Sequence, residues 1–85
     1  MRTQNEIKEV LHARLRGEFA HDTVDVSDGY QNNIHVIVVS RRFDALTEQQ
    51  KQEWLWQLID DAGLEEAEKQ LISLALPASP DVLKR

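Results

Sequence analysis

The sequence has no cysteine, only two prolines and three glycines, and aromatic residues make up 6% of it. Without cysteine there are no disulfides, no thiolate nucleophile, and no cysteine-held zinc or iron–sulfur site. A metal would have to be bound by His12, His21, His35 and carboxylates, and these isolated histidines show no ligand spacing. No apolar run approaches the roughly 20 residues that cross a bilayer. The opening residues Met1 to Glu6 are polar and unlike a signal peptide. The expectation is a cytoplasmic protein with no membrane attachment.

Positive charge is also scarce. The formal net charge is −5, and Arg41–Arg42 is the only adjacent basic pair in the interior of the chain. Nucleic-acid binding rests on a basic surface that displaces counterions from phosphates, so this balance argues against a nucleic-acid partner. The adjacent acids Asp60–Asp61 and Glu65–Glu66 read as solvated helix-end charge, with no histidine, lysine or apolar pocket in the pattern to tune them. No catalytic constellation results, so the reading is of a protein that is not an enzyme and carries no cofactor.

What is present fits one small globular domain spanning residues 1–85, with 41% apolar and 29% charged residues. A chain this short buries only about 60 to 65% of its unfolded surface, which allows a single core. Ile7, Val10, Leu11, Leu15 and Phe19 form a helical stripe, with Thr3 and Glu6 in capping-box spacing. Thr23 to Ser27 alternates as a half-buried strand, followed by turn residues and the strand Ile34 to Ser40. A second helix starts near Leu46 with Thr47 as N-cap, buries Leu55, Leu58, Ile59 and Ala62, and stops at Gly63. A short polar turn covers Glu65 to Gln70. A third strand, Leu71 to Leu76, sets Ile72, Leu74 and Leu76 against Leu71, Ser73 and Ala75 and is ended by Pro77. Ser79, Pro80 and Asp81 begin a last helical turn through Leu83.

The order α-β-β-α-β-α implies an α/β (α+β) domain. Its first two strands form an antiparallel hairpin, and a crossover helix makes the third strand parallel, giving a three-stranded mixed sheet with both main helices on one face. The opposite face is then expected to carry His35, Ile37, Val39, Leu71 and Ala75, beside polar Thr23 and Asp25. That is unusually apolar for open solvent.

This element order, with Val38, Val39 and Ser40, then Phe43, then a glutamine-rich helix start and a final Leu71 to Pro80 segment, resembles the BolA family across nearly the whole chain. The resemblance implies a fold related to one type of KH domain. It also implies partnership with monothiol glutaredoxins in handling [2Fe-2S] clusters, iron–sulfur homeostasis, and for some members transcriptional or stress-response roles. In the family pattern a glycine follows the phenylalanine, and an arginine–histidine–arginine triplet supplies the cluster ligand. Here those positions hold Ala45, Lys51, Gln52 and Glu53, and Asn33 stands where the second strand usually opens with histidine. Glutamine is not a usual iron ligand, so cluster ligation is not expected to transfer. KH domains clamp a nucleic-acid backbone with a Gly-x-x-Gly loop, a spacing that Gly17, Gly29 and Gly63 do not form.

The candidate partner-binding residues are therefore His35, Ile37, Val39, Leu71 and Ala75 on the outer face, with Trp56 as an interface anchor. Tyr30, Gln31, Asn32 and Asn33 form a candidate recognition loop. The expected function is protein interaction or homodimer formation through the outer face. The alternatives are a glutaredoxin-linked cluster protein and a KH-like nucleic-acid binder.

Overall fold

A computed structural model describes residues 1–83. The first helix, α1 (Gln4–Glu18), starts where Thr3 accepts from the Glu6 amide and the Glu6 carboxylate accepts from the Thr3 amide, so a capping box fixes its first turn. It buries Ile7, Leu11 and Leu15. Strands β1 (Thr23–Asp28) and β2 (Ile34–Val39) follow and pair antiparallel, with Val24 opposite Val38 and Val26 opposite Val36. A single 3-10 turn, Tyr30–Asn32, connects them.

A second 3-10 turn, Arg41–Phe43, capped by the Ser40 hydroxyl, leads to α2 (Glu48–Asp60). Thr47 caps α2, and Gln50 completes a second capping box. Gly63, at φ 86°, takes the left-handed conformation that ends the connection after α2, a conformation glycine adopts without strain. The short α3 (Glu66–Lys69) precedes β3 (Ile72–Ala78), and α4 (Pro80–Leu83) closes the described chain.

The sheet order is β1-β2-β3, with β2 and β3 parallel. Both long helices lie on one face: α1 covers β1, and α2 covers β3. Ile34, Val36 and Val38 of β2 meet Ile7, Leu11, Leu15, Leu55, Leu58 and Ile59 in one core. Fully burying such a side chain stabilises by roughly 1.5 to 3 kcal/mol, so this seam carries the fold.

The third strand departs from its sequence pattern. Ile72 pairs with Ile34, but the register then shifts, and Leu74, Ala75 and Leu76 pair with His35, Val36 and Ile37. The irregularity at Ser73 reverses the facing of every later residue, as an inserted residue does in a sheet of period two. Ala75 therefore shares the inner face with Val36, while Leu74 and Leu76 take the outer face. Leu71 lies in the turn before the strand and packs against the core. The expected outer-face placement of Leu71 and Ala75 is thus corrected.

Pro77 does not end the strand. It pairs with Val38, and the strand continues to Ala78, whose carbonyl accepts from the Ser40 amide at 3.0 Å. Strand alternation points the Pro77 nitrogen away from β2, where its missing N–H costs no ladder bond, while the residue is buried beside Val38.

Candidate functional site

The outer face of the sheet divides into lanes. The β1 lane presents Thr23, Asp25 and Ser27. The β2 lane holds half-buried His35, Ile37 and Val39. The β3 lane holds Leu74 and Leu76, 38% and 39% exposed, the largest exposed aliphatic side chains after Met1 among the described residues. Ile37 stands opposite Leu76, and His35 opposite Leu74. The apolar strip therefore comprises Ile37, Val39, Leu74 and Leu76, with polar groups along one side only. The bulge at Ser73 supplies its two most exposed members, and no local pattern announces that inversion.

His35 belongs both to this face and to the hairpin loop. A Cβ placed on Gly29 would lie 2.5 Å from His35 Nε2 and 2.6 Å from Cδ2, so the ring rests directly against the glycine backbone. Only glycine permits that approach without displacing the imidazole. The loop itself is unusual. Gln31 and Asn32 both take positive φ, 54° and 65°, and Tyr30 projects with 78% of its surface exposed. A left-handed conformation outside glycine costs on the order of 1 kcal/mol or more, least for asparagine. The loop ends are held: Gly29 N donates to Asn33 O at 2.7 Å, and Asn33 N to Tyr30 O at 3.2 Å. Gln4 Nε2 and Lys8 Nζ donate to Asp28 Oδ1 at 2.9 Å and 2.8 Å, which ties the hairpin to α1. Tyr30, Gln31 and Asn32 are thus displayed on a tethered base, whereas half-buried Asn33 belongs to that base.

The opening of α2 is occupied by structural contacts. Lys51 is buried along its stem and reaches Glu48 Oε1 at 3.0 Å, while Glu53 Oε1 accepts from Gln49 Nε2 at 3.0 Å. Gln52 Nε2 donates to Ala75 O at 3.2 Å. That carbonyl faces the open edge of β3, so Gln52 satisfies a backbone acceptor that the sheet leaves unpaired.

The tryptophans lie on the helical side of the sheet, away from the outer face. Trp54 packs its ring 5.3 Å from the centroids of both Phe19 and Phe43. The Arg42 guanidinium lies 4.8 Å above Trp54 and 5.2 Å above Phe19 and donates to Glu18 O and Oε1. Arg42 therefore pairs with Glu18 and covers an aromatic cluster that would otherwise meet water. Trp56, half-buried, borders a shallow depression with Asp60, Lys69 and Ile72.

The perturbed titrations also belong to the framework. The Glu65 amide donates to the fully buried Glu68 carboxylate, as do the Arg2 amide and guanidinium, at 2.8, 2.9 and 2.7 Å. Chiefly through the Glu65 bond, these donors hold the Glu68 pKa below the usual carboxylate range. The Glu6 carboxyl is lowered first by the Thr3 amide of its capping box. The Lys69 ammonium is raised by its hydrogen bonds to Asp60 and Glu66. Among the described residues, no three histidine or acidic side chains converge as a metal site, and no helix is long and apolar enough to cross a membrane. Comparison with protein-family models, with curated proteins and with solved structures finds no match.

Proposed function

We propose that this chain is a non-enzymatic protein-interaction domain resembling BolA proteins in its scaffold, and that it docks an apolar protein surface on the outer face of its sheet. A second copy of the chain is the simplest such surface. The observation that carries this reading is the strip Ile37, Val39, Leu74 and Leu76, flanked by a polar β1 lane. Burying it would yield roughly 25 cal/mol per Å² of apolar area. His35 and the loop at Tyr30 border the strip and supply polar contacts at its rim, where orientation is set.

Light scattering coupled to size-exclusion chromatography tests this reading across a concentration series, beside pull-down with the immobilised chain. Wild type should show a mass above one copy or should capture a protein, and Leu76→Asp should abolish either result. A strict monomer with no captured protein, or association insensitive to Leu76→Asp, would overturn the proposal. The resemblance also supports a monothiol glutaredoxin as partner in iron–sulfur handling. Co-reconstitution with such a protein and [2Fe-2S] cluster, followed by visible circular dichroism, tests that narrower form, and an unchanged spectrum removes it. A KH-like nucleic-acid role would require affinity that falls steeply with salt in filter binding.

A further inference from the structure

The two edges of the sheet are treated differently. On β3, Pro77 removes an outward donor and Gln52 bonds the outward carbonyl of Ala75. On β1, Arg16 Nη1 bonds the Asp22 carbonyl at 2.6 Å, and that protection stops where the strand begins.

The bond from Gly29 to Asn33 fixes the ladder. Ser27, Asp25 and Thr23 are its hydrogen-bonded positions toward β2, so Val24 and Val26 turn their N–H and C=O groups outward. Among the described residues, none bonds those outward groups. Beside them lies an open depression of about 360 Å³, bordered by Lys8, Glu9, His12 and Ala13 of α1 and by Val26. A helix flank facing an unpaired strand forms a slot for one further strand.

We propose that the β1 edge binds an extended segment of another protein by strand addition, and that this segment alternates apolar and basic residues. Its backbone would pair with Val24 and Val26. Side chains on the helical side would lie against Ala13 and Val26. Those on the other side would flank Asp25, an exposed acid that takes part in no hydrogen bond or ion pair among the described residues. Glu9 adds a second exposed acid at the rim, while the one lysine there, Lys8, is engaged by Asp28 at 2.8 Å. Asp25 is therefore the unpaired charge where a docked strand would place its outward side chains, and it matches a basic segment. Glu9 stands on the helical side, and the Arg16 guanidinium is engaged by the Asp22 and Phe19 carbonyls before the strand begins. A second copy of β1 fits poorly. Antiparallel pairing of Val24 with Val26 across a twofold axis sets Asp25 against its own counterpart, a destabilising like-charge pair. Pairing Val26 with Val26 or Val24 with Val24 sets it against Ser27 or Thr23, so none of these registers offers it a basic side chain.

The test is titration of the full chain with a short synthetic peptide alternating valine and lysine, followed by amide chemical shifts and hydrogen exchange. Three controls accompany it: a valine–glutamate peptide, the valine–lysine peptide N-methylated at alternate residues, and the Asp25→Lys chain. Binding should shift and protect the amides of Val24 and Val26. N-methylation should weaken binding by roughly tenfold or more, since it removes backbone donors. Asp25→Lys should reverse the preference in favour of the glutamate peptide. Leu76→Asp should leave peptide binding unchanged, which separates this edge from the outer face in the event that either fails. Perturbations confined to β3 or the outer face, indifference to N-methylation, or no protection of Val24 and Val26 at millimolar peptide would overturn the proposal.

Discussion

The two faces of β2 share a backbone and a residue chemistry, yet their surroundings differ. Ile34, Val36 and Val38 are wholly buried beneath two helices, whereas Ile37 and Val39 are only half-buried on the far side. The inner valines are held by the fold's own packing, so their identity is set by volume. The outer ones contribute less to folding and remain apolar all the same. Under the proposed docking, a partner would cover the outer face as the helices cover the inner one. This domain supplies one cover itself.

The contrast breaks most visibly with a charge. Val36→Asp should leave the chain unfolded, because an unpaired buried carboxylate costs more than the roughly 5 kcal/mol that a domain of this size has to spare. Circular dichroism and denaturant melts report it. If Val36→Asp folds, the inner face is not the seam of the structure.

Next in size is acid sensitivity through Glu68. Its carboxyl has a lower pKa folded than unfolded, so its contribution is present above the unfolded value of about 4.5 and is lost as pH falls through the folded one. Urea midpoints should therefore drop below that pH, and Glu68→Gln should flatten the dependence. Gly29→Ala should cost roughly 0.5 to 1.5 kcal/mol by turning the half-buried His35 ring aside, and pairing it with His35→Ala should recover most of that loss. Gln52→Ala should cost about 1 kcal/mol, the value of one satisfied edge acceptor. The smallest stability effect belongs to Leu76→Asp, expected within roughly 0.5 kcal/mol on an exposed position. Together with lost association, that small change would sharpen the difference between the faces. A large destabilisation would erase it.

Much of the fold is visible in local patterning. Thr3 with Glu6, Thr47 at the head of α2 and Gly63 after it all act through neighbours within a few residues, so their chemistry can be read in place. The Thr47–Gln50 box was equally legible and is easily missed behind the acidic Glu48. The outer face was only half legible. Its β2 lane follows strict alternation, but β3 alternates through Ile72, Leu74 and Leu76 without any sign that Ser73 carries an irregularity. A register shift is decided by pairing with another strand and leaves no mark on polarity. Gln52 and Glu68 are hidden for the same reason. One bonds a carbonyl in β3, and the other receives a guanidinium from Arg2, 66 residues away.

That separation bears on when the native state is complete. The bonds from Arg2 to Glu68 join residues 66 apart in sequence, and so long a closure is favourable only after the intervening elements have assembled. During synthesis Arg2 leaves the ribosome long before its acceptor exists. The clasp should therefore be among the last contacts made, and an amide-exchange probe at Arg2 would report completion of folding.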